Sequence, residues 1–287
     1  MIQLNLEQAV FTACLWEATA RKAGNVHRYR DFDDLTYLDF VQSAHAIAPV
    51  IANMVDAPIG ETVLECIKAT RRVVNTNTNL GIVLLLVPLS KVEIFESEYL
   101  WKLLSATTVQ DAENVYQAIR LASPGGMGKV EDQDVAKPPT LNLQAVMQMA
   151  SDRDGVAAQY HEGCNFISVI GASGFFTGWL AQGLTMEQSI LELQLIFLGV
   201  GDTLIRRKVG KERENEIARK AYELSMSDLQ SAANRLRYRE LDAYLRSEGN
   251  RLNPGTTADL ITASLFVWLR TNKVDLTIPF TWTEYSN

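Results

Sequence analysis

The 287-residue chain is predicted to be all-α, a single compact multi-helix bundle domain covering residues 1–287. Three observations carry that prediction. Apolar residues recur at the i, i+3, i+4 spacing of a helix from Leu6 to about Arg270. No stretch alternates apolar and polar residues long enough to build a sheet. Connections between the periodic segments are short, and hold Gly, Pro, Asn or a Thr/Asp cap. The chain is long enough for two ordinary domains, but no internal repeat or low-complexity linker divides it.

Residues 5–21 set Leu6, Ala9, Val10, Ala13, Cys14 and Trp16 on one helical face, with Glu17 near the end. Gly24 is a natural stop, so Lys22–Asp34 is a loop. Thr36 caps a second helix, Tyr37–Met54, with Pro49 as an expected kink. The turn Asp56–Gly60 leads into a third helix over 61–73. Val74–Gly81 is rich in Asn and Thr, which favour turns and caps over helix interior. The apolar run 82–87 then reads as a buried helix with Thr78 or Asn79 near its cap, because its neighbours are helical. Another helix spans 101–121. Residues 122–139 form the longest irregular stretch, of a length usual for lids and binding loops. Thr140 caps a helix to about Ala150, and Ser151–Gly155 opens the next. Phe166–Leu184 has no charge across a bilayer's length, yet its four glycines and absent flanking basic asymmetry favour a buried core helix. Residues 186–208 read as one long helix, 211–247 as two charged amphipathic helices, and Asn253–Asp259 as the start of the last. The expected core is built around 80–90, 166–182 and 188–200.

Hydrophobic residues make up 47% of the chain and charged residues 21%, enough for a sizeable core in a soluble protein. A net charge of −7 argues against nucleic-acid binding, which needs a basic footprint. Small molecules are the expected partners, with no nucleic acid and no membrane, and a homodimer is compatible with the chain. Cys14, Cys66 and Cys164 are odd in number and lack metal spacing, so reduced thiols in a cytoplasmic protein are expected. The N-terminus has neither the basic nor the apolar region of a signal peptide.

Chemistry concentrates in Lys22–Asp34, where a lysine, two arginines, His27 and three carboxylates surround Gly24 and Asn25. Basic groups and backbone N–H suit phosphate oxygens, and carboxylates suit a divalent metal. Further polar clusters recur at predicted helix ends, where N–H groups and the helix dipole favour anions. Asp202 and Arg206 stand four apart and would share a helix face. In Asn253–Asp259, Thr256 or Thr257 caps the helix while Asp259 sits in its first turn. Ser123–Val130 lacks the spacing and preceding strand of a phosphate-binding loop, and His161-Glu162 lacks a second zinc histidine. His45 reads as a core or structural histidine.

Taken in order, these clusters resemble the triphosphoribosyl-dephospho-CoA synthase family. The stretches that carry the resemblance are Cys14-Leu-Trp-Glu17 with Lys22-Ala-Gly-Asn-Val26, Asn75-Thr76 with Leu80-Gly81, and Asp152-Arg-Asp154 with Gln159-Tyr160. To these add Asp202–Lys208 and Leu252–Leu260. The family's Lys-Pro-Gly is Lys22-Ala-Gly24 here, and its His-Lys after Asn-Thr is Asn77-Thr-Asn79. The resemblance implies an all-helical enzyme that moves the 5-triphosphoribosyl group of ATP to the 2′-hydroxyl of 3′-dephospho-CoA and releases adenine. It implies ATP as co-substrate and Mg²⁺ on the triphosphate. Lys22, Arg206 and Lys208 are then candidates for phosphate, and Asn25, Asn75, Asn79 and Asn253 for ribose or base. Glu17, Asp34, Asp154, Asp202 and Asp259 are candidates for metal, Asp31 or Asp202 for catalysis, and His27 for general acid. The alternatives are a paralogue serving another cofactor-pathway acceptor, a Mg²⁺-dependent nucleotide hydrolase, and a binding protein without turnover.

Overall fold

The computed structural model describes residues 1–123, 133–161, 167–227, 229 and 231–274, and among these there are fourteen helices and no strand. In chain order they are α1 (Leu6–Thr19), α2 (Tyr37–Asn53), α3 (Ile59–Arg71), α4 (Leu80–Ser90), α5 (Ser97–Ser105), α6 (Val109–Ala122) and α7 (Leu143–Ala150). There follow α8 (Gly155–Ala158), α9 (Ile167–Ala181), α10 (Met186–Val200), α11 (Thr203–Val209), α12 (Lys211–Ser225), α13 (Ala232–Leu245) and α14 (Gly255–Thr271). Helix α14 is the axis, with a nearly unbroken buried run from Ile261 to Leu269. It packs against α1, α4, α9 and α10. Helix α4 is buried from Ile82 to Ser90. Each fully buried Leu or Val there stabilises the fold by about 1.5–3 kcal/mol. A second apolar cluster joins Leu191, Leu195 and Leu198 of α10 to α12 and α13.

Capping boxes set several helix starts: Asn5 with Gln8, Thr36 with Asp39, Thr108 with Asp111, and Thr185 with Gln188. The expected 101–121 helix is two, because Thr108 caps α6 after α5 has ended. Asn142, not Thr140, caps α7. Helix α2 runs through Pro49. The irregular stretch 122–139 lies partly, and Glu162 wholly, outside the described residues.

Three expectations are corrected. The 186–208 segment is not one helix: Gly201, at φ +122°, turns the chain, and α10 and α11 meet at 52°. Asp202 and Arg206 do not pair, because Arg206 is taken up by Glu214 and Asp202 by backbone N–H groups. Asp202 Oδ1 accepts the N–H groups of Leu204 and Ile205 as the cap of α11. Its Oδ2 accepts Thr257 N–H at 2.7 Å, at the start of α14. Second, α9 is not enclosed. Ala172, Ser173 and Phe176 are buried, but Gly171, Gly174, Phe175 and Gly178 face outward. Lack of charge is not apolar bulk, and glycines have little to bury. Third, His45 is exposed on α2, its ring edge-on to Phe11. Among the described residues no single helix is long and apolar enough to cross a membrane.

Asp202→Ala should strand two buried N–H donors, those of Ile205 and Thr257, and lower unfolding free energy by about 2 kcal/mol or more, read from the denaturant midpoint. Asp202→Asn, which still offers one oxygen to α11, should fall between.

Candidate active site

A cavity of about 870 Å³ opens between the start of α4, the face of α6, α7–α8, α11 and the start of α14. That is near the upper end for a small-molecule site and leaves room for two ligands. Its framework is a knot of helix starts. Thr203 Oγ accepts Gly155 N–H from α8, Thr256 Oγ accepts Leu204 N–H from α11, and Asp202 accepts Thr257 N–H from α14.

The loop after α1 supports the knot from below. Ala23 N–H donates to Gln194 Oε1, and Gln194 Nε2 donates back to Ala23 O and to Asn25 Oδ1. Gly24 N–H donates to Asp242 Oδ1 at 2.8 Å. Asn25 Nδ2 reaches Asn253 Oδ1 at 2.6 Å, which pins this loop to the turn before α14. Lys22 is fully buried, with Nζ 2.9 Å from Glu17 Oε1. It does not line the cavity, and its ammonium is turned to Glu17 rather than outward as a phosphate ligand would be. Its role is to hold Glu17, whose carboxyl does line the cavity. Burial pushes the Glu17 carboxyl up while the Lys22 ammonium works against it.

Asp259 lies in the same wall. Burial, then the charges of Glu17, Asp202 and Asp154, hold its carboxyl well above the usual range. It fits only because residue 81 is glycine: a Cβ there would stand 2.0 Å from Asp259 Oδ2. Beside it, Asn79 is buried in the cavity wall with Nδ2 bonded to Thr70 Oγ. That bond fixes the amide, and Asn79 Oδ1 has no partner. A buried acceptor left open in a cavity wall suits a ligand's donor.

The cations are arranged on α11. Arg206 donates to both oxygens of Glu214, at 2.6 and 2.9 Å, and is thereby committed to a carboxylate that is 2% exposed. Its neighbour Arg207 is exposed and reaches Asp154 at 3.3 Å, while Arg153 also borders the cavity. Lys208 donates to Asn250 O at 3.0 Å.

Several candidates fall elsewhere. His27 does not line the cavity. Burial, with Arg246, Lys22, Arg28 and Arg21 around it, pushes its pKa down to about 3, which disfavours the imidazolium that a general acid needs. Asp31 is exposed and accepts Tyr37 N–H at the start of α2, in a smaller adjoining pocket. Asn75 is exposed and outside the lining. Asn25, Asn79, Lys208, Asn253, Glu17, Asp34, Asp154 and Asp259 do come together around the cavity. Asp202 lies beneath it, wholly engaged by backbone N–H. Among the described residues no three of His, Cys, Asp and Glu are grouped to hold a metal ion. Asp154 Oδ1 caps α8 and Asp34 accepts from Asn250.

An all-helical bundle with a cationic rim and a raised carboxyl in one cavity defines a class of enzyme acting on phosphorylated small molecules. Residues 3–277 match the model of the CitG family, ATP:dephospho-CoA triphosphoribosyl transferase, and the chain belongs to that family. It is a transferase acting on ATP and dephospho-CoA. No curated protein matches the sequence. A crystal structure of an Archaeoglobus fulgidus protein, described as a candidate triphosphoribosyl-dephospho-CoA synthase, superposes with a TM-score of 0.65. The two chains are 24% identical, over 83% of this chain and all of that one, which shows the shared fold.

Arg206 and Arg207 should separate cleanly. Arg206→Ala leaves Glu214 buried and unpaired, and should cost about 3–5 kcal/mol in unfolding free energy. Arg207→Ala removes a solvated pair worth about 0–1 kcal/mol, and should instead raise KM for ATP about tenfold.

Proposed function

We propose that ATP and dephospho-CoA meet in this cavity, with Asp259 as the proton carrier of the transfer. The observation that carries this reading is the raised carboxyl of Asp259, placed in the cavity by Gly81 and surrounded by other acids. Transfer breaks the C1′–N9 bond of ATP and forms a bond from C1′ to the 2′-oxygen of the acceptor. Adenine leaves with a proton and the 2′-hydroxyl loses one. A carboxyl whose hold on its proton is raised by burial and neighbouring acids serves both needs: it gives its proton to the departing base, then takes the hydroxyl's. As the proton leaves, the new carboxylate faces the positive charge growing on the ribose.

The other roles follow from position. Arg207 and Lys208 receive the triphosphate, Arg207 exchanging its solvated pair for phosphate oxygens. Asn79 Oδ1 accepts a ribose hydroxyl or the adenine amino group. Asn25 and Asn253 hold each other and shape the wall. Mg²⁺ fits as a companion of the triphosphate, since it usually takes one or two carboxylates plus substrate phosphates. Asp154 and Asp34, at the cationic rim, would hold it. It would neutralise part of the triphosphate charge. The buried, unpaired thiols of Cys14 and Cys66 support a reducing, cytoplasmic setting.

Incubation with ATP and Mg²⁺ should release adenine only when dephospho-CoA is present. Adenine without acceptor, or ADP or AMP in its place, would reject the reading. Asp259→Asn should lower adenine release about 10²–10⁴-fold. The same variant should be more stable than the parent. The stability that Asp259 contributes is present in full below its ordinary pKa of 3.8 and is lost as pH rises toward the raised folded value. The thermal midpoint of Asp259→Asn should therefore exceed the parent's at pH 7.5, and the gap should close near pH 4.

A further inference from the structure

The cavity is divided by chemistry. Its charged end is made by the loop at 25–35, the turn at 76–79, α11 and residues 250–259, and carries Arg207, Lys208, Asp259 and Asn79. Its other end is made by α4, α6, α7 and α8, and is aliphatic: Leu84, Val115, Ile119, Val146, Met147 and Val156. All but Ile119 are nine-tenths or more buried, so this wall is set by core packing. None of the charged groups on α11 belongs to it. Polar and charged groups are confined to its edge, at Ser123, Gln133, Asp134 and Arg153.

We infer that the aliphatic lobe binds the pantetheine arm of the acceptor. This deepens the reading given above and rests on it. The two substrates share adenosine and phosphates, and differ in one large part. Dephospho-CoA alone carries a long, uncharged arm of methylenes, a gem-dimethyl group and two amides. Burying that arm against aliphatic side chains is favourable, and the polar edge can meet its amides. Adenine fits the lobe poorly. A flat base needs stacking partners and hydrogen bonds along its edge. Tyr116 is the single aromatic group among the described lobe residues, and its hydroxyl already donates to Gln133 O at 2.7 Å. The buried open acceptor of Asn79 lies at the charged end instead. With the arm in the lobe, the acceptor's ribose lies toward Asp259, and the distinction between donor and acceptor comes from the arm alone.

Equilibrium binding tests this without turnover. Ile119 is half-buried, so Ile119→Trp fills the lobe from its rim. It should weaken dephospho-CoA and 4′-phosphopantetheine about tenfold, while ATP and ADP stay within about twofold. Equal weakening of ATP, or no change for dephospho-CoA in the folded variant, overturns the assignment. If that variant does not fold, the parent protein decides. Dephospho-CoA should bind at least about tenfold tighter than ADP, which is the acceptor without its arm. Equal affinities overturn it. Absence of adenine release from the parent protein bears on the proposed reaction, and these affinities bear on the lobe.

Discussion

One carboxylate holds the geometry together. Asp202 is buried and accepts N–H groups from the first turn of its own helix α11 and from Thr257, 55 residues on, in the first turn of α14. Helix starts have unpaired donors, and burying them without an acceptor costs about 1–3 kcal/mol each. Satisfying donors of α11 and α14 with one side chain fixes the angle between them. Thr203 and Thr256 extend the same bonding to α8. Basic α11 and acidic Asp259 can then face one cavity without drifting with the loops.

Charged residues around the cavity divide into those that build it and those that remain free. Lys22, Arg206 and Asp202 are the most eye-catching charges in the sequence, and all three are builders. Lys22 is buried against Glu17, Arg206 against Glu214, and Asp202 against backbone. Breaking a buried pair leaves an uncompensated charge, so such residues are indispensable without touching a substrate. The residues left for chemistry are less prominent: Asp259 in a helical first turn, Arg207 beside the better-placed Arg206, and the lone oxygen of Asn79.

Helical class and most element positions were legible because caps and 3.6-residue periodicity are local signals. Thr36 and Asn79 mark the starts of α2 and α4 in sequence and in space. The cavity's membership was partly legible, since polar turns between apolar helices tend to gather at one end of a bundle. Roles were less so. Nothing local tells that Arg206 meets Glu214 eight residues on, around a turn at Gly210. His27 looked like an acid because histidine titrates near neutrality, but it is buried, with Arg246 from the end of α13 and Arg21, Lys22 and Arg28 of its own segment around it. The break at Gly201 was visible as Gly-Asp, a turn and cap signal that the apolar run before it outweighed. Asp259's high proton affinity depends on Glu17, 242 positions away, and no spacing rule reaches that far.

Helix α9 carries a further consequence. Gly171, Gly174 and Gly178 leave gaps in its outer face around Phe175, and among the described residues nothing stands within 4 Å of where their Cβ atoms would be. Each glycine weakens a helix by about 0.5–1 kcal/mol relative to alanine. The helix is therefore held by Ala172, Phe176 and its packing on α14 and α10 rather than by its own propensity. In hydrogen exchange its amides will open ahead of those of α4 and α14, whose burial ties them to global unfolding. The molecule thus has a soft flank beside a rigid axis.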